Sequence, residues 1–264
     1  MERVKSILQV YSSCTVAFSG GVDSTLLLSI AREVFGNNCL AVIITSPLHS
    51  KREHVEAIQW LKAEKIKYEV IEANPLDLPE IHNNDKERCY HCKKTLFSKV
   101  IEVSKAHGLE IVVEGSNYSD NLQYRPGKKA IAELKVISPL NDGQMTKDQI
   151  REAAALIYHL PQATKPSGAC YATRFPYGTK ITSEKTHHIQ ILEDFLIDNG
   201  YKQFRVRYHD SLIRLELPSE EISDFLANTY LREQFIRKTK DFGISFVTID
   251  LEGFRSGCFD GKIS

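Results

Sequence analysis

A glycine-containing loop near the start of the chain has the residue types and the position needed to bind phosphate. It reads SGGVDS over residues 19–24, after a buried apolar run at 14–19 and ahead of a helical pattern at 24–35. Backbone N–H groups at the start of a helix, together with the positive end of the helix dipole, bind phosphate. We therefore predict a phosphate-binding loop at this strand-to-helix junction.

Each glycine or polar residue of this loop has a predicted role. Gly20 and Gly21 let the backbone approach a phosphate closely, and the hydroxyl groups of Ser19 and Ser24 add donors. Asp23 would repel phosphate on its own, so we predict that it is a Mg²⁺ ligand. The alternative is an ordinary glycine turn in which Asp23 or Ser24 caps the helix.

The cysteines fall into two groups. Cys89 and Cys92 form a CxxC pair, and Cys170 lies in a loop of functional character, whereas Cys14 and Cys39 lie in apolar strands and are predicted core residues. No signal peptide is visible and no apolar run approaches the ~20 residues that span a bilayer. We therefore expect a cytoplasmic protein without membrane contact, in which cysteines are thiols, metal ligands or catalysts and not disulfides.

Two arginines in the last third of the chain have the spacing of a ligand-binding pair. Arg205 and Arg207 are two apart on a predicted strand, so both side chains are expected on the same face. Two guanidinium groups on one face suit the binding of phosphate or carboxylate.

The elements that must position these residues alternate between strand and helix patterns. The strand patterns cover 14–19, 39–46, 67–72 and 111–113, and the helical patterns cover 24–35, 50–64 and 93–107. The pattern at 50–64 places Val55, Ile58 and Leu61 on one face. Such alternation predicts an α/β fold, a parallel sheet with helices on both faces.

The character of the chain changes after about residue 180. A helix at 184–198 precedes two alternating strands, and a helix at 219–241 precedes a last strand at 245–250. Half-polar alternation is typical of an antiparallel pair. We predict a domain at 1–180 and a small α+β domain at 181–264 for substrate binding or oligomerisation.

Composition excludes some classes of protein. Hydrophobic residues make up 42% and charged residues 26%, which suits a globular protein with a core. Lys+Arg and Asp+Glu are equal at 34 each, so the net charge is zero. Nucleic-acid-binding proteins more often carry a basic excess, so we do not expect a nucleic-acid partner.

The phosphate loop resembles the SGGxDS signature of the PP-loop ATP pyrophosphatases, which have the adenine nucleotide α-hydrolase-like fold. NAD synthetase, GMP synthetase and tRNA-thiolating enzymes belong to this class. The resemblance implies that the protein cleaves ATP between the α- and β-phosphates and adenylylates an oxygen of its substrate. The segment GSNYSD at 115–120 is similar to a second segment of the family. It implies that Asp120 faces the pyrophosphate through Mg²⁺, and the alternative is a turn aspartate.

Three further segments resemble one branch of this class, the LarE sulfur transferases. They read RCYHCK at 88–93, PSGACYATRFPYG at 166–178 and RVRYH at 205–209, so the resemblance covers nearly the whole chain. It implies that a carboxylate of a pyridinium dicarboxylate mononucleotide becomes an acyl-adenylate and then a thiocarboxylate, with release of AMP. The product is a precursor of a nickel-pincer cofactor. We also expect a homo-oligomer.

The resemblance carries over to individual residues of the second half. It implies substrate contacts from Thr173, Arg174, Arg205 and Arg207. It implies a possible divalent-ion site at Glu193, Glu216 and Asp224. Each of these carboxylates could equally be a surface group paired to one of the arginines.

The source of the sulfur remains open at the level of sequence. Some family members destroy one of their own cysteines, but that position is Ala169 here; a shift of one residue would make Cys170 the sacrificial residue. Three thiolates, from Cys89, Cys92 and Cys170, can instead hold a 4Fe–4S cluster with one iron open to carry a sulfide, as in cluster-dependent family members. Zinc, redox or structural thiols are the third alternative, although structural zinc needs four protein ligands.

Competing functions make different predictions. A tRNA-thiolating PP-loop enzyme would need a basic RNA-binding face. An amidating synthetase, in which ammonia attacks the acyl-adenylate, would leave the CxxC pair and Cys170 without a role. A nucleotide-binding or metal-binding regulatory protein would not form AMP and pyrophosphate.

Overall fold

The computed structural model of the protein describes residues 1–122, 125–166, 168–255 and 259. The chain forms two compact units. The first consists of Met1–Pro75 and Glu87–Gly168, and the second of Leu76–Lys86 and Ala169–Ser264.

Strands and helices alternate along most of the first unit. In chain order the strands are β1 (Cys14–Ala17), β2 (Cys39–Thr45), β3 (Tyr68–Glu72), β4 (Ile111–Val113), β5 (Arg205–His209), β6 (Leu212–Glu216) and β7 (Phe246–Ile249). The helices are α1 (Glu2–Leu8), α2 (Val22–Phe35), α3 (Lys51–Ala63), α4 (Pro79–His82), α5 (Arg88–Ala106), α6 (Gly127–Glu133), α7 (Pro139–Asp142), α8 (Lys147–Leu156), α9 (Ser183–Asp198), α10 (Ser219–Ala227) and α11 (Thr229–Asp241). Turns of 3₁₀ helix cover Pro75–Asp77, Tyr118–Leu122, Pro161–Thr164 and Tyr171–Arg174.

The first unit is built on a parallel sheet with the strand order β3-β2-β1-β4. Alternate residues of its strands face opposite sides, as the strand geometry requires. Val16 and Ala41 pack in the core that includes α2, whereas Leu40, Val42 and Val112 pack in the core that includes α5 and α6. The predicted α/β fold, a parallel sheet with helices on both faces, is confirmed.

The buried face of α3 differs from the predicted one. Leu61 is fully buried, but Val55 is 54% exposed, and Ala57 takes its place in the core. The small side chain of Ala57 is the one that faces Gly20 of the phosphate loop. Ala57 is therefore the residue of α3 that meets the phosphate loop.

The second unit contains the sheet β5-β6-β7, in which β5 and β6 are antiparallel and β6 and β7 are parallel. The helix predicted at 219–241 is two helices in the structure, α10 and α11. The break occurs at Asn228, whose side chain accepts a hydrogen bond from the N–H of Leu231 and caps α11.

The segment Leu76–Lys86 belongs to the second unit because its polar groups bond there. The buried side chain of Asn84 donates to the carbonyl oxygens of Phe175 (3.1 Å) and Pro176 (2.8 Å), and its backbone carbonyl accepts from Gly178 N–H. The predicted boundary at 180/181 assigns 76–86 and 169–180 to the first domain, whereas both segments group with the second unit.

In the part of the chain that the structure describes, no helix is both long enough and apolar enough to cross a membrane.

Candidate active site

The phosphate loop lies tightly against α3. Gly20 has a φ of +75°, a conformation that favours glycine, and a Cβ atom there would lie 2.7 Å from the Cβ of Ala57. Gly21 is the N-cap of α2, and none of the described side chains caps this helix end. The alternative in which Asp23 or Ser24 caps the helix therefore does not hold, and the first N–H groups of α2 keep the arrangement that suits an anion.

The two segments predicted to handle phosphate lie side by side. Gly115 follows β4, and a Cβ atom at this position would lie 3.1 Å from the backbone nitrogen of Ser24. Within the loop, Ser19 N–H donates to Ser24 Oγ at 3.2 Å, and the two serine hydroxyls are 3.1 Å apart. Because β1 and β4 are adjacent parallel strands, their carboxyl ends bring both segments to one edge of the sheet.

Asp23 is the central carboxylate of this edge. Its Oδ2 atom lies 2.6 Å from Lys147 Nζ, and its Oδ1 atom is buried without a hydrogen-bond partner. Burial raises the pKa of the Asp23 carboxyl; the Lys147 ammonium opposes this change, and the charge of Asp120 adds to it. An orphaned carboxylate oxygen beside a second carboxylate is the donor arrangement that Mg²⁺ prefers.

Asp120 is held in place by neighbours on its own loop. Its Oδ2 atom accepts from the N–H of Asn117 at 3.1 Å, and its Oδ1 atom pairs with Arg125 at 2.8 Å. The side-chain oxygen of Asn117 is buried without a hydrogen-bond partner. The residues of this edge therefore fit a magnesium-bound polyphosphate: carboxylates for the metal, backbone N–H groups for the phosphates, and lysine and arginine close by.

Lys147 and Arg125, which pair with Asp23 and Asp120, are candidate site residues that the sequence prediction missed. Lys147 is the first residue of α8, and Thr146 and Gln149 on either side of it form a capping box. Its backbone N–H donates to Ser119 Oγ at 3.0 Å, which fixes the start of α8 against the 115–120 segment. The capping box was a local signal for the helix start, but nothing local indicates that Lys147 meets Asp23.

A buried network connects the cysteine-bearing helix to β4. Glu114 accepts hydrogen bonds from Ser138 Oγ (2.6 Å) and Ser116 Oγ (2.8 Å) and pairs with Lys93 at 3.3 Å. Burial raises the pKa of Glu114, but the Lys93 charge and the serine hydrogen bonds outweigh it and hold the pKa below its usual range. Lys93 directly follows Cys92, so this ion pair ties the CxxC turn to the sheet.

The CxxC pair lies on a helix and not before one, since α5 begins at Arg88, five residues earlier than predicted. Cys89 is exposed and Cys92 is partly exposed, and residues three apart on a helix are neighbours on its surface. Cys170, in the second unit, accepts a hydrogen bond from Ala172 N–H at 3.4 Å. The two helical thiols are accessible and fit part of the donor set of a cluster.

Cys14 and Cys39 are confirmed as core residues. They are paired in register on β1 and β2, with their sulfur atoms 3.6 Å apart. The hydrogen bond with Cys39 and burial raise the pKa of the Cys14 thiol, which keeps it protonated and unreactive. Cys258 lies outside the described residues.

Two of the predicted substrate-binding arginines are bound to carboxylates. Arg174 makes two 2.8 Å contacts to Glu193, and Arg207 contacts Glu216 at 2.9 and 2.8 Å. All four residues are buried, so these are core ion pairs and not surface pairs. The remaining guanidinium N–H groups also bond to protein: Arg174 to Ala169 O and Thr173 Oγ1, and Arg207 to Thr173 O.

Arg205 has a different environment. Its pKa is lowered to about 10, because burial removes water from the guanidinium and because Arg174 repels it. Its guanidinium lies 4.9 Å from the ring centre of Phe254 and donates to Phe204 O. An anionic ligand beside Arg205 would raise this pKa again, so Arg205 stays a candidate for ligand contact.

Glu193, Glu216 and Asp224 are the carboxylates predicted to hold a divalent ion. Among the described residues, no three His, Cys, Asp or Glu side chains are arranged to hold a metal ion. Glu193 and Glu216 are bound by arginines, and Asp224 is exposed on α10. The divalent-ion assignment for these three carboxylates stays a prediction.

Comparison with known proteins identifies a matching family model and several relatives of this chain. A family model for NAD synthase matches residues 4–96, which contain the phosphate loop and the CxxC pair. A pyridinium-3,5-bisthiocarboxylic acid mononucleotide synthase from Lactiplantibacillus plantarum is 34% identical over 244 residues, covering 92% of this chain and 87% of that protein. The chain belongs to the LarE family. The match to the NAD synthase model also places the chain in the ATP-using PP-loop class, in agreement with the arrangement of the 19–24 and 115–120 segments.

Two further proteins are similar to this chain over different lengths. An uncharacterized protein from Synechocystis is 36% identical over 260 residues, covering 97% of this chain and 95% of that protein. One subunit of a glutamine-hydrolyzing GMP synthase from Methanococcus vannielii is 29% identical over 150 residues, covering 53% of this chain and 48% of that protein. The likeness to a GMP synthase covers about half of the chain, whereas the likeness to the LarE relative covers nearly all of it.

Proposed function

We propose that this protein is an ATP-dependent sulfurtransferase that converts a carboxylate of a pyridinium dicarboxylate mononucleotide into a thiocarboxylate. The observation that carries the proposal is the pairing of the 19–24 and 115–120 segments around Asp23 in a chain 34% identical to a synthase of such a thiocarboxylate. The product of this reaction serves the biosynthesis of a nickel-pincer nucleotide cofactor.

In the first step the substrate carboxylate attacks the α-phosphorus of ATP, and pyrophosphate leaves. The N–H groups at the start of α2 and the hydroxyls of Ser19 and Ser24 bind phosphate oxygens. Asp23 and Asp120 would hold Mg²⁺, which would neutralise charge on the phosphates. Lys147 stands beside Asp23 and balances the negative charge that leaves with pyrophosphate.

In the second step sulfur replaces AMP on the acyl carbon. Cys89, Cys92 and Cys170 would hold a 4Fe–4S cluster, which would supply a sulfide to this step. The accessibility of the Cys89 and Cys92 thiols near the start of α5 supports this assignment, and alanine at position 169 disfavours a sacrificial cysteine there. Thiolate ligands remain reduced and available to iron in a cytosolic enzyme, the compartment we propose.

The mononucleotide phosphate is assigned to the arginines of the second unit. Burial lowers the pKa of the Arg205 guanidinium. A phosphate dianion would make a charge-assisted hydrogen bond with this group. Arg174 and Arg207 hold Thr173 through its hydroxyl and its carbonyl oxygen, and thereby position it beside the ligand.

The test is a reaction under anaerobic conditions with Mg²⁺–ATP and the pyridinium dicarboxylate mononucleotide. Formation of AMP and pyrophosphate together with a product in which sulfur replaces one oxygen supports the proposal. An amide product formed with ammonia would establish an amidating synthetase, and no AMP with this substrate would reject the assignment. Thiolation of tRNA by the same preparation would favour the tRNA-modifying alternative.

A further inference from the structure

The side chain of Asn117 carries a buried oxygen atom without a partner. Asn117 is 3% exposed, and its Oδ1 atom accepts no hydrogen bond from the described residues. Buried amide oxygens are nearly always hydrogen-bonded, because leaving one without a partner carries a penalty in free energy. The metal-free protein therefore holds this oxygen in a state that a bound ligand improves.

Asp23 carries a second orphaned oxygen on the neighbouring segment. Its Oδ1 atom is buried without a hydrogen-bond partner, while its Oδ2 atom is occupied by Lys147. The two segments touch through their backbones, since a Cβ atom at Gly115 would lie 3.4 Å from the carbonyl carbon of Asp23. Gly115 and Asn117 are two residues apart, so their Cα atoms are at most about 7 Å apart. Both orphaned oxygens therefore belong to the same edge of the parallel sheet.

Hydrogen bonds of the backbone hold Asn117 at this edge. Its N–H donates to Asp120 Oδ2 at 3.1 Å, and Asp120 Oδ1 pairs with Arg125. The following residue is fixed as well, because Tyr118 N–H donates to Met145 O at 2.9 Å. Both oxygens of Asp120 thus have partners, whereas the side-chain oxygen of Asn117 has none among the described residues.

We propose that Asn117 is a third protein ligand of the divalent cation, beside Asp23 and Asp120. A hydrogen-bond donor of a ligand would serve one orphaned oxygen, whereas a hard cation binds carboxylate and amide oxygens together. The amide is neutral, so it adds an oxygen ligand without a third negative charge where the polyphosphate must approach. This inference rests on the first step of the proposed function, in which this edge binds Mg²⁺ with ATP.

The test measures binding of Mn²⁺, which replaces Mg²⁺ and is observed directly by electron paramagnetic resonance. The protein is titrated with Mn²⁺ in the presence of α,β-methylene-ATP, which occupies the nucleotide site without reacting. Asn117→Ala should weaken Mn²⁺ binding at least about tenfold, since groups that merely orient metal ligands are worth ten- to a hundredfold in affinity. Asn117→Asp keeps an oxygen at this position and should bind Mn²⁺ at least as tightly as the wild type.

Asn121→Ala is the matched control and should bind Mn²⁺ as the wild type does. Asn121 lies in the turn that follows Asn117, and its Oδ1 atom already accepts a hydrogen bond from Lys128. Wild-type Mn²⁺ affinity in Asn117→Ala would overturn the proposal. An Asn117→Asp variant as weak as Asn117→Ala would overturn it as well.

Two metal-free measurements separate a metal ligand from a nucleotide contact and from a structural residue. In EDTA, Asn117→Ala should keep the wild-type affinity for α,β-methylene-ATP. It should also keep the wild-type urea midpoint, because the lost oxygen satisfies no other group in the metal-free protein. Weaker nucleotide binding in EDTA would make Asn117 a nucleotide contact, and a lower urea midpoint would make it a structural residue; either result would overturn the proposal.

The metal site and the sulfur-transfer reaction can fail separately. A wild type that binds Mn²⁺ with α,β-methylene-ATP but makes no thiocarboxylate would overturn the proposed function and leave the role of Asn117 supported by its variants. A wild type that binds no Mn²⁺ in the presence of the analogue would overturn both.

Discussion

Lys147 and Asp23, which are 124 residues apart in sequence, form a 2.6 Å ion pair at the phosphate loop. The pair joins the first turn of α8 to the first turn of α2. It also favours the ionised form of Asp23, because burial raises the pKa of this carboxyl and the lysine opposes the change. In the proposed function an ionised Asp23 would hold Mg²⁺, and Lys147 would favour that form of the carboxyl.

We predict that Lys147→Met lowers the rate of AMP formation about a hundredfold, the size expected for loss of one preorganised charge at a reacting group. Without the ammonium, the pKa of Asp23 rises further, so the acidic limb of the pH–rate profile should move to higher pH. The measurement is pyrophosphate release from Mg²⁺–ATP over a pH series. Lys105→Met, which removes an exposed lysine of α5, is the control. A variant with the wild-type rate and the wild-type acidic limb would show that the pair has no catalytic role.

Arg205 and Arg207 should differ sharply when replaced. Arg205→Ala should weaken binding of the dicarboxylate mononucleotide about ten- to a hundredfold, or ~1.5–3 kcal/mol for one charge-assisted contact, with unchanged affinity for ATP. Titration calorimetry with each ligand separates the two effects. Unchanged affinity for the mononucleotide would make Arg205 a structural residue.

Arg207→Ala is expected to act on stability. Glu216 is fully buried, and loss of its bidentate partner leaves a buried charge that Arg214 compensates only in part. Breaking a buried pair costs about 3–5 kcal/mol, so this variant should unfold at a lower urea concentration than Arg205→Ala. Equal urea midpoints for the two variants would contradict the assignment of Arg207 to the core.

The three cysteines should bind iron as a unit. Anaerobic reconstitution is expected to give about four irons per chain, and Cys89→Ser, Cys92→Ser and Cys170→Ser should each lose the iron together with sulfur transfer. Cys258→Ser is the control and should retain both. Mass spectrometry after turnover should show an unchanged chain mass. A loss of H₂S mapped to Cys170 would establish the sacrificial route instead.

Stability should fall in acid because of His49. Burial and the neighbouring His54 lower the pKa of His49 to about 4, from 6.5 in an unfolded chain. The unfolded state therefore binds more protons between these values, and stability is retained above pH 6.5 and lost as pH falls toward 4. The loss reaches as much as about 3 kcal/mol.

The check for His49 is the urea midpoint at about pH 7 and about pH 5. His49→Asn, which keeps a partner for Ser46 Oγ, should lose less stability between the two conditions than the wild type. His187→Gln, at an exposed position of α9, should behave as the wild type does. An identical decline in all three proteins would assign the acid sensitivity to other groups.

Local patterns predicted most of the elements, since alternation and helical spacing are properties of neighbouring residues. The strands at 39–45 and 68–72 and the helix at 183–198 lie within one or two residues of their predicted bounds. The predictions fail where a contact between residues distant in sequence determines which side chain is buried. Val55 is exposed, whereas the small Ala57 lies against Gly20, and this contact is not visible in the sequence of α3.

Candidate site residues were predicted where they lie together in one sequence segment. They were missed where the fold brings distant segments together. The residues of the 19–24 segment share a signature, whereas Lys147 reaches Asp23 only through the packing of α8 beside the sheet. Likewise, Arg174 and Arg207 appeared as ligand-binding residues from their type and spacing. Their burial against Glu193 and Glu216 depends on pairing between separate elements.

The grouping of Leu76–Lys86 with residues 169–264 has a consequence for biosynthesis. This early segment leaves the ribosome long before Phe175 and Pro176, whose carbonyl oxygens accept the hydrogen bonds of Asn84. The parallel sheet can form first, but the buried side chain of Asn84 has no access to these partners until the carboxyl-terminal part of the chain has been made. Incompletely packed intermediates are prone to aggregation. We therefore expect the second unit to fold after the parallel sheet, and a nascent chain arrested after residue 168 to leave the 76–86 segment without its partners.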